Sequence, residues 1–309
     1  MSIFGQILDI DLTTETWKLS DYPRDLAGEY LGGRGLNVKL LYDHIPPGTD
    51  PLGPHNILTL SCGMLTGTAA PASSRLHINA LSPLTGILGG SNIGGGFGVS
   101  LRLCNIQQVV IHGQAARPVY LWIDGDSVEI RNAKSLWGKD TWETEKLLKN
   151  RLGSEKLKIL TIGPGGENRC SFGCIISERD HAAGRTGMGT VMGSKNLKAI
   201  VVRAQKSRVA FRPKNDIHEA IKRYLWQMKY APEFKNMKAH GGAGYVDWAD
   251  DLGILATRNY RDYHFEDAER IDGKHLKENI TRKHGCPRCP VQCKADLRFS
   301  TGRLKGKEA

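Results

Sequence analysis

The chain has 309 residues, with 43 Lys and Arg against 32 Asp and Glu, a formal charge of +11 at pH 7. That length allows one large domain or two ordinary ones, and a hydrophobic content of 40% argues against a disordered chain. No apolar run reaches membrane-spanning length, and the opening MSIFGQILDIDLTT has no basic region ahead of an apolar stretch, so the sequence reads as soluble and cytoplasmic, with no membrane partner. The basic residues are spread among acidic ones, which argues against a nucleic-acid partner. Only the end, RKHGCPRCPVQCKADLRFSTGRLKGKEA, is densely basic, and its charge alone does not choose among nucleic acid, a phosphorylated cofactor and an acidic redox protein.

In chain order, GQILDIDLTTETWKLS alternates apolar and polar residues about a turn at 12–14, the pattern of a β-hairpin. Helices are expected over 21–30 and 34–44, separated by Gly32-Gly33 and ended by Pro46-Pro47-Gly48. A buried strand at 56–61 runs into a small-residue loop ending at Arg75, and a strand at 76–81 follows. Strands at 108–112, 119–123 and 127–131 come next, the last two joined by Asp124-Gly125, a strong hairpin signal. A helix over 141–152, a strand over 157–162, the loop GPGGEN, a strand over 172–177 and a closing strand over 199–204 complete this half. Strands and helices mix without a strict βαβ rhythm, so the fold class is α+β, with a first domain over 1–208.

Two glycine-rich stretches stand out. TGILGGSNIGGGFGVSLRL keeps so many glycines that side chains must be in the way there, and a helix over 97–103 would aim its N-terminal amides at the same space. DHAAGRTGMGTVMGSKNLKAI, over 180–200, joins Gly184, Gly187 and Gly189 to Arg185, Lys195 and Lys198, the parts of an anion cradle. A tight turn between core elements would explain the glycines equally well.

Residues 206–215, basic and with a proline, form a plausible boundary, after which strand signals fade and helices are expected over 216–230, 244–255 and 273–280. Of the seven cysteines, Cys62, Cys104, Cys170 and Cys174 lie in or beside apolar stretches and read as buried thiols. Cys286, Cys289 and Cys293 form a C-x2-C-x3-C array on a proline-stiffened segment, three donors of a metal site that needs a fourth. His284 would complete a zinc knuckle, whereas a further cysteine would complete an iron–sulfur site.

The motifs GGRGLN, GMLTGTAAPASSR, SPLTG, SNIGGGFG, IGPGGEN, AAGRTGMGTVMGSKNLKAI and CPRCPVQC, in this order and spacing, resemble the aldehyde ferredoxin oxidoreductase family of tungsten or molybdenum pterin enzymes over essentially the whole chain. The resemblance implies an α+β N-terminal base domain (1–208) for the cofactor, then helical domains whose first part is 209–309. It implies a tungsten- or molybdenum-bis-pterin cofactor whose two phosphates are bridged by magnesium. Arg75 would contact a pterin phosphate. Asn92 and Ala182 would offer backbone carbonyls to the magnesium, while Gly94, Gly95, Gly184 and Arg185 would line the pterin. His181 stands where the family commonly has arginine. Cys286, Cys289 and Cys293 would hold three corners of a 4Fe-4S cluster close to a pterin.

The implied reaction is oxidation of an aldehyde to a carboxylic acid, with ferredoxin as electron acceptor. Family members run to about twice this length, and 302–309 look like a strand or loop cut off, so the fourth cluster ligand and the catalytic acid and base are expected outside these residues. The chain then reads as the N-terminal part of such an enzyme. The alternatives are a pterin or iron–sulfur scaffold that needs a partner chain or a homodimer, and a basic zinc-knuckle nucleic-acid binder.

Overall fold

The computed structural model describes residues 4–205, 209 and 215–308. The chain divides into two compact units, Met1–Arg212 and Pro213–Ala309. Most of the linker expected over 206–215, including residue 208, lies outside the described residues.

The first unit holds strands β1 (Gln6–Asp11), β2 (Thr16–Asp21), β3 (Leu58–Cys62), β4 (Leu76–Leu81), β5 (Leu88–Ile93), β6 (Ile106–His112), β7 (Val119–Asp124), β8 (Ser127–Asn132), β9 (Lys158–Thr161), β10 (Ile175–Ser177), β11 (His181–Ala183) and β12 (Leu197–Arg203). Its helices are α1 (Arg24–Tyr30), α2 (Arg34–His44), α3 (Phe97–Leu103), α4 (Thr141–Leu152), α5 (Pro164–Glu167) and α6 (Met188–Ser194). The strands form two six-stranded sheets, ordered β2-β1-β6-β3-β4-β5 and β11-β10-β9-β12-β7-β8. Within each, one pair is parallel, β1 with β6 and β12 with β7.

Strand periodicity decides what lies between the sheets. Val109 and Ile111 of β6 and Leu121, Ile123, Ile200 and Val202 of β7 and β12 share one buried core with Phe97 and Leu101 of α3 and Met188, Val191 and Met192 of α6. The alternate residues point outward: Val110 packs with Leu41 of α2, and Tyr120, Trp122 and Val201 pack with Leu148 of α4. Helices thus line both outer faces, and two short helices fill the space between the sheets. α4 is well specified, with Asp140 accepting from the Glu143 amide at 2.7 Å and Gly153 closing the helix at φ 68°.

Part of the glycine stretch at 86–98 is strand β5. Gly90 pairs with Asn79, and a Cβ there would come within 2.7 Å of the Asn79 amide nitrogen. Close side-chain approach, not loop freedom, therefore accounts for that glycine.

In the second unit, helices α7 (Asn215–Tyr230), α8 (Pro232–His240), α9 (Val246–Asp251), α10 (Ala268–Ile271) and α11 (Gly273–Lys277) precede strands β13 (Ile280–His284) and β14 (Lys294–Leu297), with a 3-10 turn over Gly241–Tyr245. The helix expected over 244–255 is split between that turn and α9. The β13–β14 hairpin was not anticipated, because RKHGCPRCPVQC alternates poorly, and its register, His284 opposite Lys294, is defined by backbone pairing. Among the described residues of this unit, Ala268 is the one apolar side chain in the buried class. Among the described residues no helix is long and apolar enough to cross a membrane.

Candidate functional site

The edge strands of the two sheets, β5 and β11, approach each other, and a cleft of about 490 Å³ opens there, lined by Arg34, Arg75, His77, Gly90, Ser91, Asn92, Ala182, Gly184 and Arg185. Each arginine arrives by a different route. Arg34 is the first residue of α2, launched by Gly33 at φ 55° after Gly32 bridges to Gly63. Arg75 ends a loop held by Thr66, whose hydroxyl donates to the Ser73 carbonyl at 2.8 Å, and by Ser73, which donates to the Leu65 carbonyl at 3.0 Å. Arg185 is held over β5: its amide donates to the Ser91 hydroxyl at 3.3 Å, and Thr186 donates to the Gly90 carbonyl at 3.3 Å. From the opposite side the Ser82 hydroxyl donates to the Thr186 carbonyl at 2.9 Å.

Three guanidiniums and no carboxylate line the cleft among the described residues, so it favours an anion with several oxygens. Its floor is polar and ordered. Gln108 donates to Asn37 at 2.8 Å, and Asn37 donates to the Asn79 side chain and to the His77 carbonyl, both at 3.2 Å. The His77 ring Nδ1 lies 2.7 Å from Asn92 Oδ1, while its buried Nε2 has no hydrogen-bond partner among the described residues. Burial, with a smaller push from the Arg34 charge, holds the His77 pKa below its ordinary value.

Of the residues singled out from the sequence, Arg75, Asn92, Ala182, Gly184 and Arg185 come together at this cleft. Gly94, Gly95 and His181 do not line it. The Glu178 carboxylate, ion-paired with Lys158, accepts from the Gly96 amide, and a Cβ on Gly95 would strike the same carboxylate. That second glycine hollow is filled by the protein's own side chain. His181 is buried, with Nδ1 2.7 Å from Asp180 Oδ1. Lys195 and Lys198, counted with the cradle from sequence, are buried elsewhere: Lys195 donates to the Gly113 carbonyl at 2.7 Å, and Lys198 pairs with Glu167.

Sequence reading missed Arg34, His77, Gly90 and Ser91 as cleft residues. The run Arg75-Leu76-His77-Ile78-Asn79 held the signal, since period-two alternation puts Arg75, His77 and Asn79 on one face while Leu76 and Ile78 enter the core.

All seven cysteines are thiols; Cys62 and Cys104 are buried as expected, whereas Cys170 and Cys174 are partly exposed. Cys286, Cys289 and Cys293 are partly exposed on the loop joining β13 to β14, where the Cys289 amide donates to the Cys286 carbonyl at 3.0 Å. Among the described residues no three His, Cys, Asp or Glu side chains gather closely enough to hold a single metal ion. His284, the fourth donor of a zinc reading, has Nε2 3.1 Å from Asp296 Oδ1.

The family model described as "Aldehyde ferredoxin oxidoreductase, N-terminal domain" matches residues 7–204, and that described as "Aldehyde ferredoxin oxidoreductase, domains 2 & 3" matches residues 219–308. The tungsten-containing aldehyde ferredoxin oxidoreductase of Thermococcus kodakarensis is 38% identical over 292 residues, which cover 94% of this chain and 48% of that protein. The protein of the same name from Pyrococcus abyssi is 38% identical over 308 residues, covering 99% and 51%. Among solved structures, the active-site complex BamBC of benzoyl coenzyme A reductase with 1,5-dienoyl-CoA matches with a TM-score of 0.82 and 30% identity, over 96% of this chain and 47% of that one. The chain spans about half the length of the curated relatives it matches. On these matches the chain belongs to the aldehyde ferredoxin oxidoreductase family.

Proposed function

We propose that this chain is the cofactor-binding N-terminal part of a pterin-dependent oxidoreductase, working in the cytoplasm on an aldehyde. The observation that supports it most is the meeting of Arg34, Arg75 and Arg185, from three separate segments, at one cleft without a carboxylate. Arg75 and Arg185 would hold the pterin phosphates, with Arg34 at the same opening. The backbone carbonyls of Asn92 and Ala182 would take the bridging magnesium, a hard ion that prefers oxygen donors. Gly184, without a side chain, would let the flat pterin approach.

Bound there, a tungsten or molybdenum pterin supplies two-electron oxidation of an aldehyde to its carboxylic acid. The relatives' name supports tungsten and ferredoxin. Cys286, Cys289 and Cys293 would hold three corners of a 4Fe-4S cluster, to which thiolate donors suit. The residues of this chain would bind and orient the cofactor. The near-absence of buried apolar side chains among the described residues of the second unit favours a chain that works with further polypeptide, in a homodimer or with a partner, over one active alone.

Metal and pterin analysis of anaerobically purified protein tests this reading. Tungsten or molybdenum together with pterin, both lost in Arg75→Ala, is the expected result. Zinc as the sole metal, with no pterin, would overturn it.

A further inference from the structure

We infer that His77 reads the heterocycle of the ligand: its Nε2 lone pair accepts a hydrogen bond from an N–H group on the aminopyrimidine edge of the pterin whose phosphate the arginines hold. This rests on the pterin reading of the cleft and adds the residue that tells a pterin from a bare phosphate.

The residue is held at both ends: its backbone carbonyl accepts from Asn37 at 3.2 Å, and its ring Nδ1 meets Asn92 Oδ1 at 2.7 Å. Because an amide oxygen can only accept, Nδ1 bears the hydrogen and Nε2 is left with a lone pair. The residue is 9% exposed and lines the cleft, and Nε2 has no hydrogen-bond partner among the described residues. Gly90 keeps the space over it clear, since a Cβ there would come within 3.2 Å of Nε2.

A lone pair is repelled by an ionised phosphate oxygen, so His77 does not serve the charged oxygens that the guanidiniums attract. It suits a donor. The cleft therefore asks for a ligand with two faces, oxyanions for Arg34, Arg75 and Arg185 and an N–H edge for His77. A pterin phosphate has both.

The test uses the full chain, free of cofactor, titrated by calorimetry with a pterin monophosphate and with inorganic phosphate. His77→Leu is expected to weaken the pterin monophosphate roughly tenfold, the worth of one neutral hydrogen bond, and to leave inorganic phosphate within about twofold. His77→Gln, whose amide oxygen can accept, should recover most of the loss. Equal losses for both ligands, or no loss for the pterin, would overturn the inference while leaving the pterin reading in place. If the wild-type chain does not bind the pterin monophosphate, the pterin reading itself falls, and the inference with it. A second measurement does not depend on a variant's folding. In long-range ¹H–¹⁵N spectra of histidine-labelled protein, Nε2 of His77 should bear no proton and should shift with the pterin monophosphate but not with phosphate. A proton covalently held on Nε2 in the ligand-free protein would overturn the assignment.

Discussion

Lys198 and Glu167 form an ion pair with side chains 0% and 3% exposed, and Lys198 also donates to the Lys139 carbonyl at 2.8 Å. The second Glu167 oxygen accepts from the Gly138 amide at 2.7 Å, so the pair ties β12, α5 and the loop before α4 into one knot. A lysine so engaged has no charge to offer a ligand. Removing one member of a buried pair strands the other, so Lys198→Ala should lower unfolding free energy by about 3–5 kcal/mol in urea denaturation. Arg185→Ala, at an exposed side chain in the cleft, should leave stability within about 0.5 kcal/mol and instead lower pterin content of the purified protein. Equal pterin content in the two variants, once both are shown to be folded, would contradict the division of roles.

Lys195 is 1% exposed, and burial pulls its pKa from 10.5 down to about 8. Between those two pH values the unfolded chain holds a proton that the folded chain has released, so the unfolded state binds more protons and stability rises with pH. Below about pH 8 both states are charged and the folded protein bears the full cost of the buried ammonium. The stability of wild type relative to Lys195→Met should therefore climb through that window, by roughly 3 kcal/mol in all at about 1.4 kcal/mol per pH unit. Urea denaturation of both proteins across the window reads it directly. A flat difference would mean that the carbonyls of Asn56 and Gly113, which accept from Nζ, keep the ammonium charged.

The two lysines show where sequence reading reached its limit. Their position in AAGRTGMGTVMGSKNLKAI put them beside Arg185, but α6 and β12 turn them into the interior, and charge in a sequence says nothing of which side of a helix it leaves. The sheet strands were legible because alternation and hairpin turns are local: 76–81 and 127–131 match β4 and β8 to within a residue. The cleft was half legible. Arg75 and Arg185 announced themselves by charge beside small residues, whereas Arg34 joins them through the tertiary contact of Gly32 with Gly63. Glu178 filling the hollow at Gly96 depends on a residue 82 positions away, and no local pattern encodes it.

Gly90 offers a way to disturb the cleft floor without touching an arginine. An added Cβ would meet Asn79 Nδ2 at 2.7 Å and His77 Nε2 at 3.2 Å, so Gly90→Ala must move the His77 ring or the Asn79 amide. Overpacking of this kind costs about 1–3 kcal/mol, a loss that thermal denaturation would register. If the ring gives way, the hydrogen bond between His77 Nδ1 and Asn92 goes with it, and pterin content should fall even in preparations that remain folded. Gly86→Ala, in the same hairpin with open space around its Cβ position but φ at 71°, is the control: it should cost some stability and leave pterin content unchanged.

The cysteine loop permits a test that separates iron–sulfur from zinc chemistry within this chain. A zinc site needs four donors at roughly 2.0–2.3 Å from one point, and the fourth available here is His284, which faces Asp296 across the hairpin. An iron–sulfur cluster brings its own sulfides and asks the protein only for thiolates at its corners. Anaerobic reconstitution with iron and sulfide should therefore give visible charge-transfer absorption in the wild-type chain, and Cys289→Ser should abolish it. His284→Ala should leave it intact, because the cluster asks for thiolates and the imidazole meets the Asp296 carboxylate. If zinc binds stoichiometrically and His284→Ala releases it, the loop is a zinc site and the cluster assignment fails.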